Sequence, residues 1–294
     1  MRHAHFLKSW AIPVVLALAP ACASQTGDPP SPSSEPPPAG KEHRIREIAD
    51  PASPLKAAHK TPVQVSGAVV VAVDHFDETR NGKSTGSIYV SDLGSQEPYS
   101  GISLFNPSFI PGNLRVSAGD TLDLRGEFQE NQDIPITFTP GAFLVQLASP
   151  IATFRFDAKV PEPVVIDIAD LADYATGRRW LNMLVTVKNV TIQGLPFGSG
   201  GRRSWGLLPE HPNADSAMRK CEVPFTKTEA SAEGPATYSK PPTLVNELMD
   251  LEPLSQQLTP PENGPPTVVK SITGVVTFFC NLHIAPRTTA DIAF

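Results

Sequence analysis

Cysteine is scarce in this chain of 294 residues, which has three, at positions 22, 221 and 280. No Cys-x-x-Cys or His-x-x-x-His pattern occurs. The usual signatures of zinc binding and dithiol redox chemistry are therefore missing. Gly-x-Ser-x-Gly occurs once, at residues 82–86, but a strand rather than a helix is predicted after it, whereas the esterase motif needs a strand-to-helix turn. The acidic stretch Asp74–Gly82 lacks the ligand spacing of an EF-hand and is typical of a hairpin loop ending in an Asn-Gly turn. We predict no metal, no cofactor and no catalytic residue, and hence a protein that is not an enzyme.

An excess of positive charge is also missing, because 24 basic residues face 30 acidic ones and the formal net charge is −6. Removal of the first 21 residues would take away Arg2 and Lys8 and no acid, which gives −6 − 2 = −8. Most non-specific affinity for nucleic acid comes from a clustered positive surface. The charge balance therefore disfavours nucleic acid as a general partner.

No apolar run is long enough to span a bilayer as a helix, which takes about 20 apolar residues. The N-terminus instead has basic Arg2 and Lys8, the apolar run Trp10–Ala19 and small residues before Cys22, which is the plan of a signal peptide. The stretch Leu18–Cys22 resembles a bacterial lipobox, which implies acylation of Cys22 and a membrane anchor. Because Ala23 rather than aspartate follows, this resemblance points to the outer membrane. Ordinary cleavage near Ala21 is the alternative, and would release a secreted or periplasmic protein.

Proline and serine dominate the segment that follows. Residues 28–40 read DPPSPSSEPPPAG, without one large apolar side chain. Such a composition favours extended polyproline conformations and acts as a semi-rigid spacer. We extend this disordered tether over residues 22–60, with at most a helical turn near Ile45–Ile48.

With Cys22 assigned to the lipid, Cys221 and Cys280 are the only possible internal disulfide pair. An oxidising envelope compartment favours the bridge, which would stabilise the fold by up to about 4 kcal/mol. The alternative is a free buried thiol at Cys280, which follows an apolar predicted strand.

Short β-branched or alternating runs between Gly, Pro, Asn and Asp predict strands throughout the rest of the chain. In the first half they are Val63–Val73, Gly86–Ser91, Gly101–Phe105, Leu114–Ser117, Thr121–Phe128 and Phe143–Leu147. In the second half they are Leu181–Ile192, Trp205–Leu208, Glu222–Phe225 and Val268–Phe279. Residues 161–175 predict a short helix capped by Asp167 or Asp170, and Thr243–Leu251 has a helix-like pattern. Gly67 and Gly274 each interrupt an apolar run, as expected where a small barrel bends or packs closely.

Several of these runs match structural motifs of one fold. They are SGAV at residues 66–69, GSIYVSD at 86–92, AGDTLDLRGEF at 118–128, LVTVKNV at 184–190, ITGVV at 272–276 and PRTTADI at 286–292. The chain thereby resembles the OB-fold, and in particular the OB-like domains of extracellular bacterial nucleases and envelope lipoproteins. The resemblance covers residues 62–294 apart from the irregular stretch 194–266. It implies an all-β chain with two small barrels in tandem, and an ion pair between Arg287 and Asp291.

Two arginine pairs beside tryptophans are the candidate binding residues, namely Arg178, Arg179, Trp180, Arg202, Arg203 and Trp205. OB-folds bind single strands by stacking bases on aromatic side chains along a basic groove, so these residues suit a nucleic acid or an anionic glycan. The alternative is that both tryptophans are core residues and the arginines pair with nearby acids.

The predicted order is a signal peptide (1–21), a tether (22–60), a first OB-like barrel (61–160), a linker with a short helix (161–177) and a second barrel (178–294) whose insertion covers about 194–266. The function that fits best is a non-catalytic, lipid-anchored binding or scaffold module of the bacterial envelope, with a protein or glycan ligand. A single-stranded nucleic-acid-binding module of an extracellular nuclease system is the second hypothesis. An uncharacterised envelope hydrolase is the third.

Overall fold

A computed structural model describes residues 42–77, 80, 86–105, 116–131, 144–198, 201–211, 226–228, 237–261, 264–279 and 281–294. The signal peptide, Cys22, the Pro-rich segment, Cys221, Cys280 and the strand predicted at Glu222–Phe225 lie outside these residues.

Strands make up most of the described structure. They are β1 (Glu42–His43), β2 (Thr61–Val73), β3 (Ile88–Asp92), β4 (Gly101–Phe105), β5 (Asp120–Asn131), β6 (Leu144–Asp157), β7 (Val164–Val165), β8 (Leu184–Phe197), β9 (Ser204–Leu207), β10 (Thr226–Thr228), β11 (Thr237–Ser239), β12 (Thr243–Val245), β13 (Thr267–Phe279), β14 (Asn281–Ala285) and β15 (Ile292–Ala293). The helices are α1 (Ile45–Ala49), α2 (Tyr174–Gly177) and α3 (Ser255–Leu258), with 3-10 turns at Ile168–Leu171, Arg178–Trp180, Glu252–Leu254 and Thr289–Asp291.

Two five-stranded barrels follow one another along the chain. In the first barrel the order is β2-β3-β4-β6-β5, and pairing of β5 with β2 closes it. In the second barrel the order is β8-β9-β12-β14-β13, and pairing of β13 with β8 closes it. The third and fifth strands of each barrel run parallel, and the other neighbours run antiparallel. This shared order of strands, 1-2-3-5-4-1, is that of the OB-fold, so the prediction of an all-β chain with two tandem OB-like barrels is confirmed.

Each barrel encloses its own apolar core. Leu124, Phe128 and Leu147 are fully buried in the first core. Trp205 and Leu244 are fully buried in the second. The alternation of apolar and polar residues along the strands produces these cores, because successive side chains point to opposite faces of a sheet.

Residues 42–60 are folded against the first barrel, although a tether was predicted there. β1 pairs with β2, and Ile45 and Ile48 of α1 are buried in the first core. The carboxylate of Asp92, at the end of β3, accepts hydrogen bonds from the backbone N–H groups of Ile45 (2.7 Å) and Arg46 (3.0 Å). Burial raises the pKa of Asp92, while these two bonds act in the opposite direction.

The prediction of a helix-like segment at Thr243–Leu251 was wrong, because Thr243–Val245 forms strand β12 between β9 and β14. Leu244 points into the core, and tertiary pairing overrides a local helical spacing. The helix predicted in the linker is present as a 3-10 turn and α2. Asp167 caps the first and Asp173, rather than Asp170, caps the second.

The two glycines in apolar runs occupy different strands of their barrels. Gly67 lies in the first strand of its barrel with φ +68°, at a bulge where Asp123 accepts a hydrogen bond from its N–H. Gly274 lies in the fourth strand of the second barrel, where a Cβ would come within 2.7 Å of the backbone of Ala285. The counterpart of Gly274 is Gly126, where a Cβ would meet Leu147 and the Ala148 carbonyl at under 3 Å. Close packing of the fourth strand on the fifth therefore requires glycine in both barrels.

Candidate binding surfaces

OB-folds generally bind ligands on the face of their second and third strands and on the adjoining loops. In the first barrel these strands are β3 and β4, whose inward side chains fill the core. Their outward positions are Tyr89, Ser91, Gly101 and Ser103, which lie opposite one another in pairs. Tyr89 and Ser91 are only 4% and 3% exposed. A Cβ at Gly101 would lie 2.6 Å from the backbone of Asn182, so the start of the second barrel covers this face.

The corresponding face of the second barrel is also buried. Thr243 and Val245 are its outward residues on β12, and they are 0% and 7% exposed. Apolar residues of both barrels form one buried cluster, consisting of Val71, Ala72, Tyr89, Leu184, Val245, Leu248, Val275 and Ala285. In the first barrel, the surface by which OB-folds usually bind single strands therefore takes part in the contact between the barrels, whereas in the second barrel Val245 is the residue of that surface in the shared cluster.

A half-buried carboxylate joins the barrels within this junction. Glu247, two residues after β12, accepts a hydrogen bond from the Tyr89 hydroxyl at 2.7 Å and another from the Thr277 hydroxyl at 2.6 Å. Burial raises the pKa of Tyr89 well above its ordinary value, and the charge of Glu247 adds to the effect. Tyr89 is therefore neutral and donates its proton to the bond. The junction is thus specified by a polar contact as well as by apolar packing.

Further polar contacts hold the barrels together at the edge of the junction. The side chain of Asn182 donates to the Val145 carbonyl (3.1 Å), while its backbone N–H donates to the Val276 carbonyl (2.8 Å).

Arg287 forms the predicted ion pair with Asp291, at 3.1 Å between Nη2 and Oδ1, which confirms that implication of the OB resemblance.

The first arginine pair lies near this junction, just before β8. The backbone carbonyl of Arg179 accepts a hydrogen bond from the N–H of Tyr99 in the first barrel at 2.7 Å. Its guanidinium pairs with Asp170 at 3.2 Å and lies 5.0 Å from the centre of the Trp180 ring. Trp180 is 8% exposed and belongs to the second core, whereas Arg178 is half-buried.

The second arginine pair lies beyond the far end of β8, in the loop that leads into β9. Asn246 fixes this loop, since its side chain accepts from the N–H of Arg203 (2.7 Å) and donates to the Gly201 carbonyl (3.0 Å). Arg203 pairs with Glu252 at 3.0 Å, while Arg202 is exposed at the loop surface.

The structure places the two pairs at opposite ends of β8 rather than in one groove. Trp205 is fully buried and Trp180 nearly so, so neither indole offers a face for a ligand in this conformation. Two of the arginines pair with nearby acids, as in the alternative interpretation. Binding through the arginine side chains stays a prediction, with the loop at residues 201–203 as its exposed part.

Sequence reasoning missed the residues that organise the junction and this loop. Asn246 and Glu247 fall in the stretch that was predicted as a helix and matched the OB pattern poorly. A polar pair directly after the apolar run Thr243–Val245 was the available signal. Likewise, Thr243, Asn281 and His283 form a buried polar cluster on the outer side of β12 and β14, in which Thr243 and His283 are hydrogen-bonded.

Within the described residues, no three His, Cys, Asp or Glu side chains come close enough together to hold a metal ion. No helix of this part of the chain has the length and apolar character needed to cross a membrane.

Comparison with known proteins identifies no family for this chain. No protein-family profile matches the chain, and no curated protein is detectably related to it. Among solved structures, the chain is similar to a replication protein A heterotrimer bound to single-stranded DNA, at 10% identity and a TM-score of 0.24. The match covers 80% of this chain and 51% of the other, so this chain spans about half of that protein's length.

Proposed function

We propose that the protein is a non-catalytic lipoprotein of the bacterial cell envelope whose two OB-like barrels act as one binding or scaffold unit. The observation that carries the proposal is the burial of both second-and-third-strand faces, that of the first barrel by the contact between the barrels. Two independent ligand modules would leave these faces open, whereas a scaffold unit uses them for internal packing. The surface left for a protein or glycan partner is then formed by loops, of which the Arg202–Arg203 loop is the most basic described example.

The sequence supports the anchoring part of the proposal. The described structure begins at residue 42, which is 42 − 22 = 20 residues after the predicted lipid-bearing Cys22. An extended polyproline-like segment of this length would span about 60 Å, at about 3.1 Å per residue. The barrels would therefore be held clear of the lipid headgroups, within reach of other envelope components.

Metabolic labelling with an alkyne-bearing palmitate tests the anchor. The full chain is expressed with an intact N-terminus beside a Cys22→Ser variant, and lipid incorporation and membrane fractionation are compared. We expect label and membrane association in the unaltered chain, and neither in the variant. A cleaved, unlabelled and soluble product from the unaltered chain would contradict the anchor and favour secretion.

Fluorescence anisotropy with labelled single-stranded DNA tests the binding part at low and at physiological salt. The control is a variant with Arg178, Arg179, Arg202 and Arg203 replaced by glutamine. We expect no saturable binding, because the strand-binding faces are buried and the net charge is negative. Saturable binding that weakens with salt and disappears in the variant would instead establish a nucleic-acid-binding module.

A further inference from the structure

Acidic residues are absent from two segments of the second barrel. Residues 184–208, which contain β8 and β9, have three basic residues and no Asp or Glu. Residues 263–290, which contain β13 and β14, have two basic residues and again no acid. The whole chain, by contrast, has 30 acidic residues and a net charge of −6. Because β8 and β13 pair with each other, positive charge is concentrated on one side of an acidic protein.

Two lysines supply the uncompensated part of this charge. Arg203 and Arg287 of these segments each pair with a nearby acid. Lys188 on β8 and Lys270 on β13 are exposed, and no ion pair within the described residues involves either of them. An anionic partner would therefore meet two ammonium groups that do not have to leave a carboxylate first.

The backbone brings the two lysines together. Lys188 lies opposite Ser271 in the β8–β13 pair, and Lys270 directly precedes Ser271. From the spacing of residues and strands, the two lysine Cα atoms are about 6 Å apart. Successive side chains of a strand normally point to opposite faces, but Lys188 and Asn189 are both exposed, and Asn189 has a left-handed backbone with φ +53°. This irregular backbone keeps both lysines at the surface.

Like charges this close on neighbouring strands repel each other and destabilise the pair. An anionic group bound between Lys188 and Lys270 would offset this repulsion. The side chains of Asn189, Thr191 and Ser271 lie beside the lysines and make no hydrogen bond to any described residue. Their amide and hydroxyl groups can both donate and accept, as the hydroxyl groups of a sugar do.

The remaining features of this face favour a glycan over other anionic partners. Binding of single-stranded nucleic acid depends on stacking of bases on aromatic side chains. The residues of β8, β13 and β15 that the structure describes as exposed include no aromatic ring. A small molecule would need a concave pocket, whereas an open strand face suits an extended chain.

We propose that Lys188 and Lys270 bind the anionic groups of a glycan that lies across β8 and β13 on the outer face of the second barrel. The class of partner rests on the proposed function, whereas the site depends neither on the lipid anchor nor on the Arg202–Arg203 loop. This face belongs to the first and fourth strands of its barrel, so it differs from the second-and-third-strand face by which OB-folds generally bind.

Lysine footprinting of the unaltered full chain tests the site without any substitution. The chain is acetylated with an N-hydroxysuccinimide ester, with and without dextran sulfate, and modification is measured by peptide mass spectrometry. Lys188 and Lys270 are expected to lose reactivity when the glycan is present. Lys60 and Lys159, which are exposed on the first barrel, are expected to keep theirs. Equal protection of all four lysines, or none at Lys188 and Lys270, would overturn the proposal.

Fluorescence anisotropy with labelled dextran sulfate measures the contribution of the two lysines. Lys188→Gln/Lys270→Gln is expected to weaken binding on the order of tenfold, which corresponds to the loss of two exposed ion pairs. Lys60→Gln/Lys159→Gln changes the net charge by the same amount and is expected to bind as the unaltered chain does. Unlabelled neutral dextran should not compete. Equal weakening in both variants would mean that only the overall charge matters, and would refute the site.

The same measurements separate this site from the proposed function. Binding of dextran sulfate that is unaffected by Lys188→Gln/Lys270→Gln would overturn the site and leave a glycan-binding unit. Absence of binding at low salt would contradict both the site and a glycan partner, whereas palmitate labelling tests the anchor by itself. Polyglutamate or single-stranded DNA that binds as tightly as dextran sulfate, through the same two lysines, would overturn the assignment to a glycan.

Discussion

Replacement of Tyr89 by phenylalanine removes one hydroxyl group from the junction between the barrels and leaves the ring in place. In the structure this hydroxyl donates to the Glu247 carboxylate at 2.7 Å, from the first barrel to the second. In the variant the Thr277 hydroxyl still donates a hydrogen bond to the Glu247 carboxylate. We expect a loss of stability transmitted to both barrels, because the deleted bond joins them.

The expected magnitude follows from the character of the bond. A hydrogen bond to a charged group contributes about 1.5–3 kcal/mol to the free energy of unfolding. With a urea dependence of about 3 kcal/mol per molar, the midpoint of unfolding should fall by roughly 0.5–1 M. A shift of this size is readily measured.

Tryptophan fluorescence makes the assay specific for transmission between the barrels. Apart from Trp10 in the N-terminal segment, the tryptophans are Trp180 and Trp205, both in the core of the second barrel. Tyr89 belongs to the first barrel, so a lower fluorescence midpoint in the variant means that the junction stabilises the second barrel. Tyr99→Phe is the matched control, because its hydroxyl makes no hydrogen bond to the described residues. An unchanged midpoint in the Tyr89 variant would refute the coupling.

Three further predictions concern the first barrel and its contacts. Asp92→Ala should reduce the free energy of unfolding by about 1.5–3 kcal/mol, because the N–H groups of Ile45 and Arg46 lose their acceptor. The amide hydrogens of α1 should also exchange faster with solvent in this variant. Unchanged protection of these amides would contradict the prediction. Burial raises the folded-state pKa of Asp92, so its ionised form costs stability above that pKa and the cost disappears as pH falls below it. The unfolding free energy of the unaltered chain minus that of Asp92→Asn should therefore increase as the solution is acidified, and a decrease would reverse the argument. Gly101→Val should lower the free energy of unfolding by at least about 1–3 kcal/mol, measured by thermal unfolding, because the new Cβ would lie 2.6 Å from the backbone of Asn182. An unchanged free energy of unfolding would mean that the barrels separate easily.

The candidate surfaces were only partly accessible to sequence reasoning. The paired arginines and their tryptophans are visible in the sequence, but their positions at opposite ends of β8 depend on how that strand crosses the second barrel. Burial of Trp205 follows from its place opposite Leu244 in the β9–β12 pair, which no local pattern reveals. The part played by Glu247 depends on Tyr89, which lies 158 positions earlier in the chain.

The sequence by itself determined the local features: where most strands run, the glycine at Gly274 that lets the fourth strand pack on the fifth, and the ion pair of Arg287 with Asp291 four residues later. These depend on side-chain alternation, backbone freedom and short separations, which are properties of neighbouring residues. The tertiary structure alone decided that Thr243–Val245 is a strand, and that residues 42–60 fold against the first barrel. It also decided that the two usual ligand faces are buried. The physical reason is that burial and pairing depend on residues far apart in the chain, whose positions are set only when both barrels have closed.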